Sequence, residues 1–217
     1  MPSLPPTVLL ALALQNAPQV APETMLAVVQ AETGGDPLAL YDNADKQGYR
    51  PKSKAEAVAL ARRLVAAGHS IDAGVAQLNS ANWPRFNVTA ETAFDPAVSI
   101  KAAGELMVSD YRICLQMRLP KEALRCMISR YNTGDGFKGV GNGYVAKVWK
   151  AADLVVPAIK NAGPLPPPPP AETPDDDPSD PAPPAWDVFA RADWEMRRAD
   201  QKAAAPAVVK VIQEPSK

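Results

Sequence analysis

Thirteen of the chain's 24 prolines fall within residues 161–217, and five stand in a row at residues 166–170. Proline fixes φ and offers no backbone N–H, so such a run joins neither helix nor sheet and is expected to be extended. The Asp- and Pro-rich continuation to residue 184 has too few apolar groups to bury. Whatever core this chain makes must come from the residues before it. The charge changes at the same place: residues 1–160 carry 17 Lys+Arg against 14 Asp+Glu, and residues 161–217 carry 6 against 10. The expected organisation is a slightly basic folded domain at 1–160, a Pro/Asp-rich linker at 161–184 and a polar tail at 185–217. In the tail, Trp186, Phe189 and Trp194 suit either a short helix that meets a partner surface or a fraying end with incidental aromatics.

The body reads as mainly α, because apolar residues recur at three- and four-residue spacing and hardly anywhere alternate. Pro22 is placed to open a helix that runs to Glu32 and stops at Gly34-Gly35. Ser53 and Glu56 have capping-box spacing ahead of Val58, Leu60 and Leu64, with Gly68 as the stop. Asp95-Pro96 opens a third helix with Ile100, Ala103, Met107 and Tyr111 on one face. Pro120 is read as the start of a fourth, which aligns Leu124, Ile128 and Tyr131, and a last helix follows Gly143. Residues 36–51 and 71–82 show no helical period.

Several function classes fall away. With 23 Lys+Arg against 24 Asp+Glu there is no electrostatic footprint for nucleic acid. No apolar run is long enough to span a bilayer, so a soluble protein without a transmembrane segment is expected. Residues 8–14 have the length of a signal-peptide core, but the first basic residue is Lys46, so no signal peptide is evident and the export route is open. The lone His69, read as a surface loop residue, cannot build a histidine metal site or a Ser-His-Asp triad. Residues 42–45 lack EF-hand spacing and read as a polar turn. No metal or cofactor is expected. Cys114 and Cys126 flank a helix break, where they are either a staple in an oxidising compartment or two buried thiols in a reducing one.

Three clusters could carry chemistry. Met25, Val28, Val29 and Glu32 fall at i, i+3, i+4 and i+7, which points a carboxyl inward. Burial raises a carboxyl pKa, as a general acid near neutral pH requires; a Glu at a frayed helix end turning into solvent is the commoner reading. Gln77, Asn79 and Asn82 offer amides suited to an uncharged polar ligand, or to an Asn-rich turn that satisfies itself. Tyr131-Asn132-Thr133-Gly134 runs into a glycine-rich stretch ending at Tyr144-Val145. That stretch lacks the Gly-Lys-Ser/Thr element of a phosphate loop and is read as a flexible wall over a cleft.

Taken in order, Glu32-Thr33-Gly34-Gly35-Asp36-Pro37, Gly74-Val75-Ala76-Gln77-Leu78-Asn79, Asn82, Phe94-Asp95-Pro96, Tyr131-Asn132-Thr133-Gly134 and Gly141-Asn142-Gly143-Tyr144-Val145 resemble the soluble lytic transglycosylases. More narrowly, they resemble the peptidoglycan-cleaving members associated with type IV secretion systems. The resemblance covers residues 4–158. It implies a lysozyme-like (SLT) domain with a substrate cleft, a periplasmic or cell-envelope address, and cleavage of the MurNAc–GlcNAc β-1,4 bond to 1,6-anhydro ends. It makes Glu32 the acid and then the base, with no obligatory Asp partner. Thr33, Gln77, Asn79, Tyr131, Asn132 and Thr133 become substrate-binding residues, Tyr131 being the hydroxyl that contacts the Glu. Thr33 stands where Ser is commoner, Val75-Ala76 replaces Leu-Met or Leu-Gly, and Asn16 stands where relatives often have Cys. The implied periplasmic address favours a Cys114–Cys126 bridge. The implied partners are glycan strands and, through the tail, secretion-system components. A peptidoglycan-binding scaffold and a lysozyme-type hydrolase are the competing readings.

Overall fold

The computed structural model describes residues 3–117 and 122–161. The expected linker beyond residue 161, the tail at 185–217 and Pro120 lie outside the described residues.

The apolar run at residues 8–14 lies inside a helix, α1 (Pro6–Asn16), whose Leu9, Leu10 and Ala13 are buried. In this fold those three residues join the core, while Val8 at the start of the run is exposed. The helix α2 (Pro22–Glu32) is buried on nearly every side, from Thr24 to Val29 and again at Ala31. The sequence showed one apolar stripe; the structure surrounds the whole helix, which an element without a polar face requires. Its neighbours include α1 and a long C-terminal helix (Tyr144–Asn161). Full burial of side chains such as Met25 and Leu26 stabilises by about 1.5–3 kcal/mol each.

Residues 36–51 and 71–82, which carried no helical period, supply the strands of a small antiparallel sheet. Its strands are β1 (Leu40–Asp42), β2 (Gln47–Tyr49), β3 (Ile71–Ala73) and β4 (Leu78–Asn79), in the order β2-β1-β3-β4. Such short strands hold one alternation each, too little to read as period two. In β3, Ile71 and Ala73 are buried while Asp72 takes the opposite face, directly across from Tyr41 and Asn79. One helix, α3 (Lys54–Ala66), packs on β1 and β3. Ser53 Oγ accepts from Glu56 N at 3.2 Å, and the returning arm of the cap reaches one residue further, Glu56 Oε2 accepting from Lys52 N at 2.8 Å.

The helix α4 (Pro96–Gln116) joins the two regions. Its N-cap Asp95 accepts from Ala97 N. Ile100, Ala103 and Met107 belong to the helical cluster, while Ala102, with Val98 and Leu106 beside it, belongs to the sheet cluster. Two stripes of one helix thus serve both cores. The close approach of Ala17 depends on Gly104, since a Cβ there would lie 2.7 Å from the alanine's own.

The described part of the next helix, α5, is Ala123–Thr133, and the expected start at Pro120 falls outside the described residues. A disulfide joins Cys114 in α4 to Cys126 in α5. The glycine-rich stretch between α5 and α7 (Tyr144–Asn161) contains a short helix, α6 (Lys138–Gly141). It differs from the flexible wall expected: Ser129 Oγ donates to Asp135 O at 2.6 Å and accepts from Gly139 N at 2.8 Å. Thr133 Oγ1 adds bonds to Ser129 O and Asp135. His69 likewise differs from a free surface residue, because its Nδ1 lies 2.8 Å from Oδ2 of the fully buried Asp42 and ties the end of α3 to the β1–β2 turn.

Candidate active site

Between the sheet and α4–α5 lies a cleft of about 630 Å³. Glu32 lines it together with Asp72, Gln77, Asn79, Tyr131 and Asn132. Thr133 and Gly134 also reach it, as do Arg85, Asp110 and Arg130 at one end.

Glu32 is the last residue of α2, and the helix ends there because Gly34 and Gly35 turn the chain with φ of +65° and +87°. Its side chain does not turn into solvent. Burial pushes the carboxyl up to about 7; the Tyr144 hydroxyl and Lys147 pull it down, and Asp72 pushes it up. Tyr144 Oη donates to Glu32 Oε1, so a proton on this carboxyl sits on Oε2. Burial, and then the charge of Glu32, raise the Tyr144 pKa, and the phenol stays a donor.

The aromatic hydroxyl on Glu32 is therefore Tyr144, a correction to the expectation for Tyr131. Tyr131 Oη donates instead to Ala76 O at 2.7 Å, a bond that ties α5 to the segment after β3. The physical reason lies in the chain path: Gly143, at φ +84°, starts α7 beside the end of α2. Asn142 Oδ1 then accepts from Tyr144 N at 2.9 Å. Asn142 Nδ2 donates to Asn132 Oδ1 at 3.0 Å, so Asn132 supports Tyr144 as well as lining the cleft.

Thr33 does not line the cleft. It is buried, its Oγ1 donating to Val75 O at 2.8 Å and accepting from Gly35 N at 3.1 Å. It clamps the end of α2 to the 74–79 segment, and the expectation that it binds substrate is corrected accordingly. That segment also needs Gly74, where φ is +80° and a Cβ would fall 2.1 Å from Ala93 O.

Gln77 and Asn79 line the cleft, but both are held by the protein. Gln77 has φ +51°, a left-handed conformation fixed by bonds from Nε2 to Ala39 O and Gly74 O. Its carbonyl Oε1 is the group left to meet a ligand. Asn79 Nδ2 donates to Asp72 Oδ1 at 2.7 Å and to Ser70 Oγ at 2.9 Å. Asn43 Nδ2 donates to the other Asp72 oxygen at 2.9 Å.

Asp72 is the carboxyl that sequence reasoning missed. Burial raises its pKa, while Asn43 and Asn79 lower it. The signal that could have exposed it is a polar residue between the apolar Ile71 and Ala73. Among the described residues, Asp42, Asp45 and His69 form the one carboxyl–imidazole group tight enough for a metal, within 4.8 Å. Asp42 and His69 are bonded to each other, and none of the three lines the cleft. No helix among the described residues is long and apolar enough to cross a membrane.

The profile of the family described as transglycosylase SLT domain matches residues 10–151. Among curated proteins, protein virB1 of Agrobacterium fabrum (strain C58) is 37% identical over 147 residues, covering 68% of this chain and 60% of the relative. Protein virB1 of Rhizobium radiobacter is 36% identical over 143 residues, covering 66% and 60%. The type IV secretion system protein virB1 of Brucella abortus (strain 2308) is 36% identical over 165 residues, 70% of this chain and 69% of the relative. The matched part thus spans 60% of the length of the first two relatives. No solved structure matches the chain significantly.

Proposed function

The chain belongs to the transglycosylase SLT domain family, and from that premise we propose that it cleaves the MurNAc–GlcNAc β-1,4 bond of peptidoglycan without water. The observation that carries the reading is Glu32, a carboxyl that titrates near 7 in a polar cleft with a phenol fixed on one oxygen. Glu32 Oε2 gives its proton to the glycosidic oxygen as the C1–O bond breaks. The resulting carboxylate takes the proton of the C6 hydroxyl while O6 bonds to C1. The products are a 1,6-anhydro-MurNAc end and a free 4-hydroxyl, and Glu32 regains its proton. Removing an acid/base group of this kind costs about 10²–10⁴ in rate.

Gln77 Oε1, Asn132 and Thr133 are proposed to meet the sugars, with Asn79 positioning Asp72. Opening of the wall for a type IV secretion or conjugation apparatus is proposed from the printed name of the Brucella relative. A periplasmic address is supported by the Cys114–Cys126 disulfide, which persists in oxidising compartments.

Asp72 favours one second reading. Hydrolases of lysozyme type work with two carboxyl groups across the scissile bond, and Asp72 shares the cleft with Glu32. Mass spectrometry of muropeptides released from purified sacculi separates the readings, with Glu32→Gln run alongside. Anhydro ends from the wild type alone support the transglycosylase. Reducing ends support the hydrolase, and sacculus binding without product supports a scaffold.

A further inference from the structure

The cleft is lined by two arginines that its proposed acid/base chemistry does not use. Arg130 on α5 donates through Nε to Asp110 Oδ1 on α4 at 2.9 Å, and Arg85 donates through Nη2 to Ser109 Oγ on α4 at 2.7 Å. Both guanidiniums therefore dock on neighbouring residues of one helix, and both line the cleft with Asp110. Arg85 also lies over the Phe86 ring, 5.0 Å from its centroid. Its charge reaches Asp110, so two cations share one buried anion. A guanidinium has five N–H donors, and each arginine uses one in the bonds just named. Within this group of three, two guanidiniums stand against one carboxylate and keep unused donors at the cleft, while the other lining carboxyls, Glu32 and Asp72, belong to the acid/base site and the sheet. Tyr131, next to Arg130 in sequence, lines the same cleft as Glu32.

Neutral N-acetyl sugars give no reason for such a pair. The anions of a peptidoglycan strand are the carboxylates on the branch of the muramyl unit: the lactyl group when bare, the peptide stem when present. We propose that Arg85 and Arg130 form a carboxylate subsite that reads this branch and makes the cleft prefer muramyl units over neutral sugars. The inference rests on the peptidoglycan reading of the cleft. Arginine suits the task because its planar fork matches a carboxylate, and each charge-assisted pair adds discrimination.

The test uses the full chain with Glu32→Gln to prevent turnover, and three tetrasaccharide probes: GlcNAc-MurNAc units bearing stem peptides, the same units with bare lactyl carboxylates, and neutral chitotetraose. The ratio of affinities is the readout, with thermal unfolding to confirm folding. Arg85→Gln is expected to lower the preference for the anionic probes about tenfold, and Arg85→Lys, which keeps the charge without the planar fork, to lower it by less. Added salt should erode the preference in the parent. Arg130→Gln should act in the same direction; it strips Asp110 of its partner, so exposed Arg85 carries the decision. A preference already full with bare lactyl carboxylates identifies the lactyl group as the anion, and one that needs the stem identifies the peptide. A ratio that Arg85→Gln leaves unaltered, or an equal loss for all three probes, overturns the proposal. No binding of any probe would instead sink the peptidoglycan reading itself.

Discussion

The helical region and the small sheet divide the labour of this molecule unequally. Around α2, most side chains are apolar and buried, and the fully buried hydroxyl of Ser129 on α5 is hydrogen-bonded. The sheet has an apolar underside at Ile71, Ala73 and Leu78, but its other face carries Tyr41, Asp72 and Asn79 into the cleft. The larger buried cluster lies in the first region, and the cleft takes its lining from both. Glu32 sits where they meet, buried by the helices and pushed further up by Asp72 from the sheet.

Met25→Ala breaks the comparison hardest if the two regions are in fact equivalent. Met25 is fully buried in α2, and its loss is expected to cost about 2–5 kcal/mol in chemical unfolding. Asn79→Ala, at the half-exposed sheet face, should cost far less. Equal losses would show that the sheet is as much a core as the helices.

This division also decided what could be read in advance. Helices with a buried stripe repeat it over many residues, so Pro22–Glu32, Lys54–Ala66 and Pro96–Gln116 were legible with their caps. Strands of two or three residues repeat nothing, and the sheet was missed, with Asp72 inside it. Glu32 was visible because its position extends the spacing of Met25, Val28 and Val29. The motif Gly141-Asn142-Gly143-Tyr144-Val145 does not by itself assign Tyr144 a role, since which tyrosine meets Glu32 depends on how α7 returns against α2. Sequence adjacency to Glu32 does not tell which way the Thr33 side chain turns at the helix end, and it turns to Val75 O.

The disulfide sharpens the same contrast. Cys114 and Cys126 are 12 residues apart in sequence and join two helices of the buried region. Closing a loop of this size is worth about 3 kcal/mol in the unfolded chain. Reduction, or the double Cys→Ser variant, should lower stability by about 2–3 kcal/mol while the cleft keeps its ligand preference. A change in that preference would show that the bridge holds the cleft as well as the core.

Glu32 itself should act against stability. Its carboxyl goes from an ordinary 4.5 to about 7 on folding, so between those values the folded state holds the proton more tightly than the unfolded one. Stability from this group therefore falls as pH rises from 4.5 to 7, and the full cost is present above 7. Glu32→Gln, which cannot ionise, should match the wild type near pH 4 and exceed it at pH 8 by roughly 1–3 kcal/mol. Equal offsets at both pH values would place the effect in packing instead of charge.

Tyr144 and Tyr131 give the finest cut. Tyr144 lowers the Glu32 pKa by donating to its carboxylate, so Tyr144→Phe removes a bond that favours the ionised form. The alkaline limb of the rate profile, set by loss of the Glu32 proton, should move upward, with turnover falling about tenfold as the carboxyl loses its anchor. Tyr131→Phe breaks a bond to the Ala76 carbonyl instead, which loosens the join between α5 and the 74–79 segment. It should weaken substrate binding and leave the position of the limb where it was. The two profiles separate a group that tunes the acid from one that shapes the cleft, and a limb that moves with Tyr131→Phe would reverse the roles given to them by the fold.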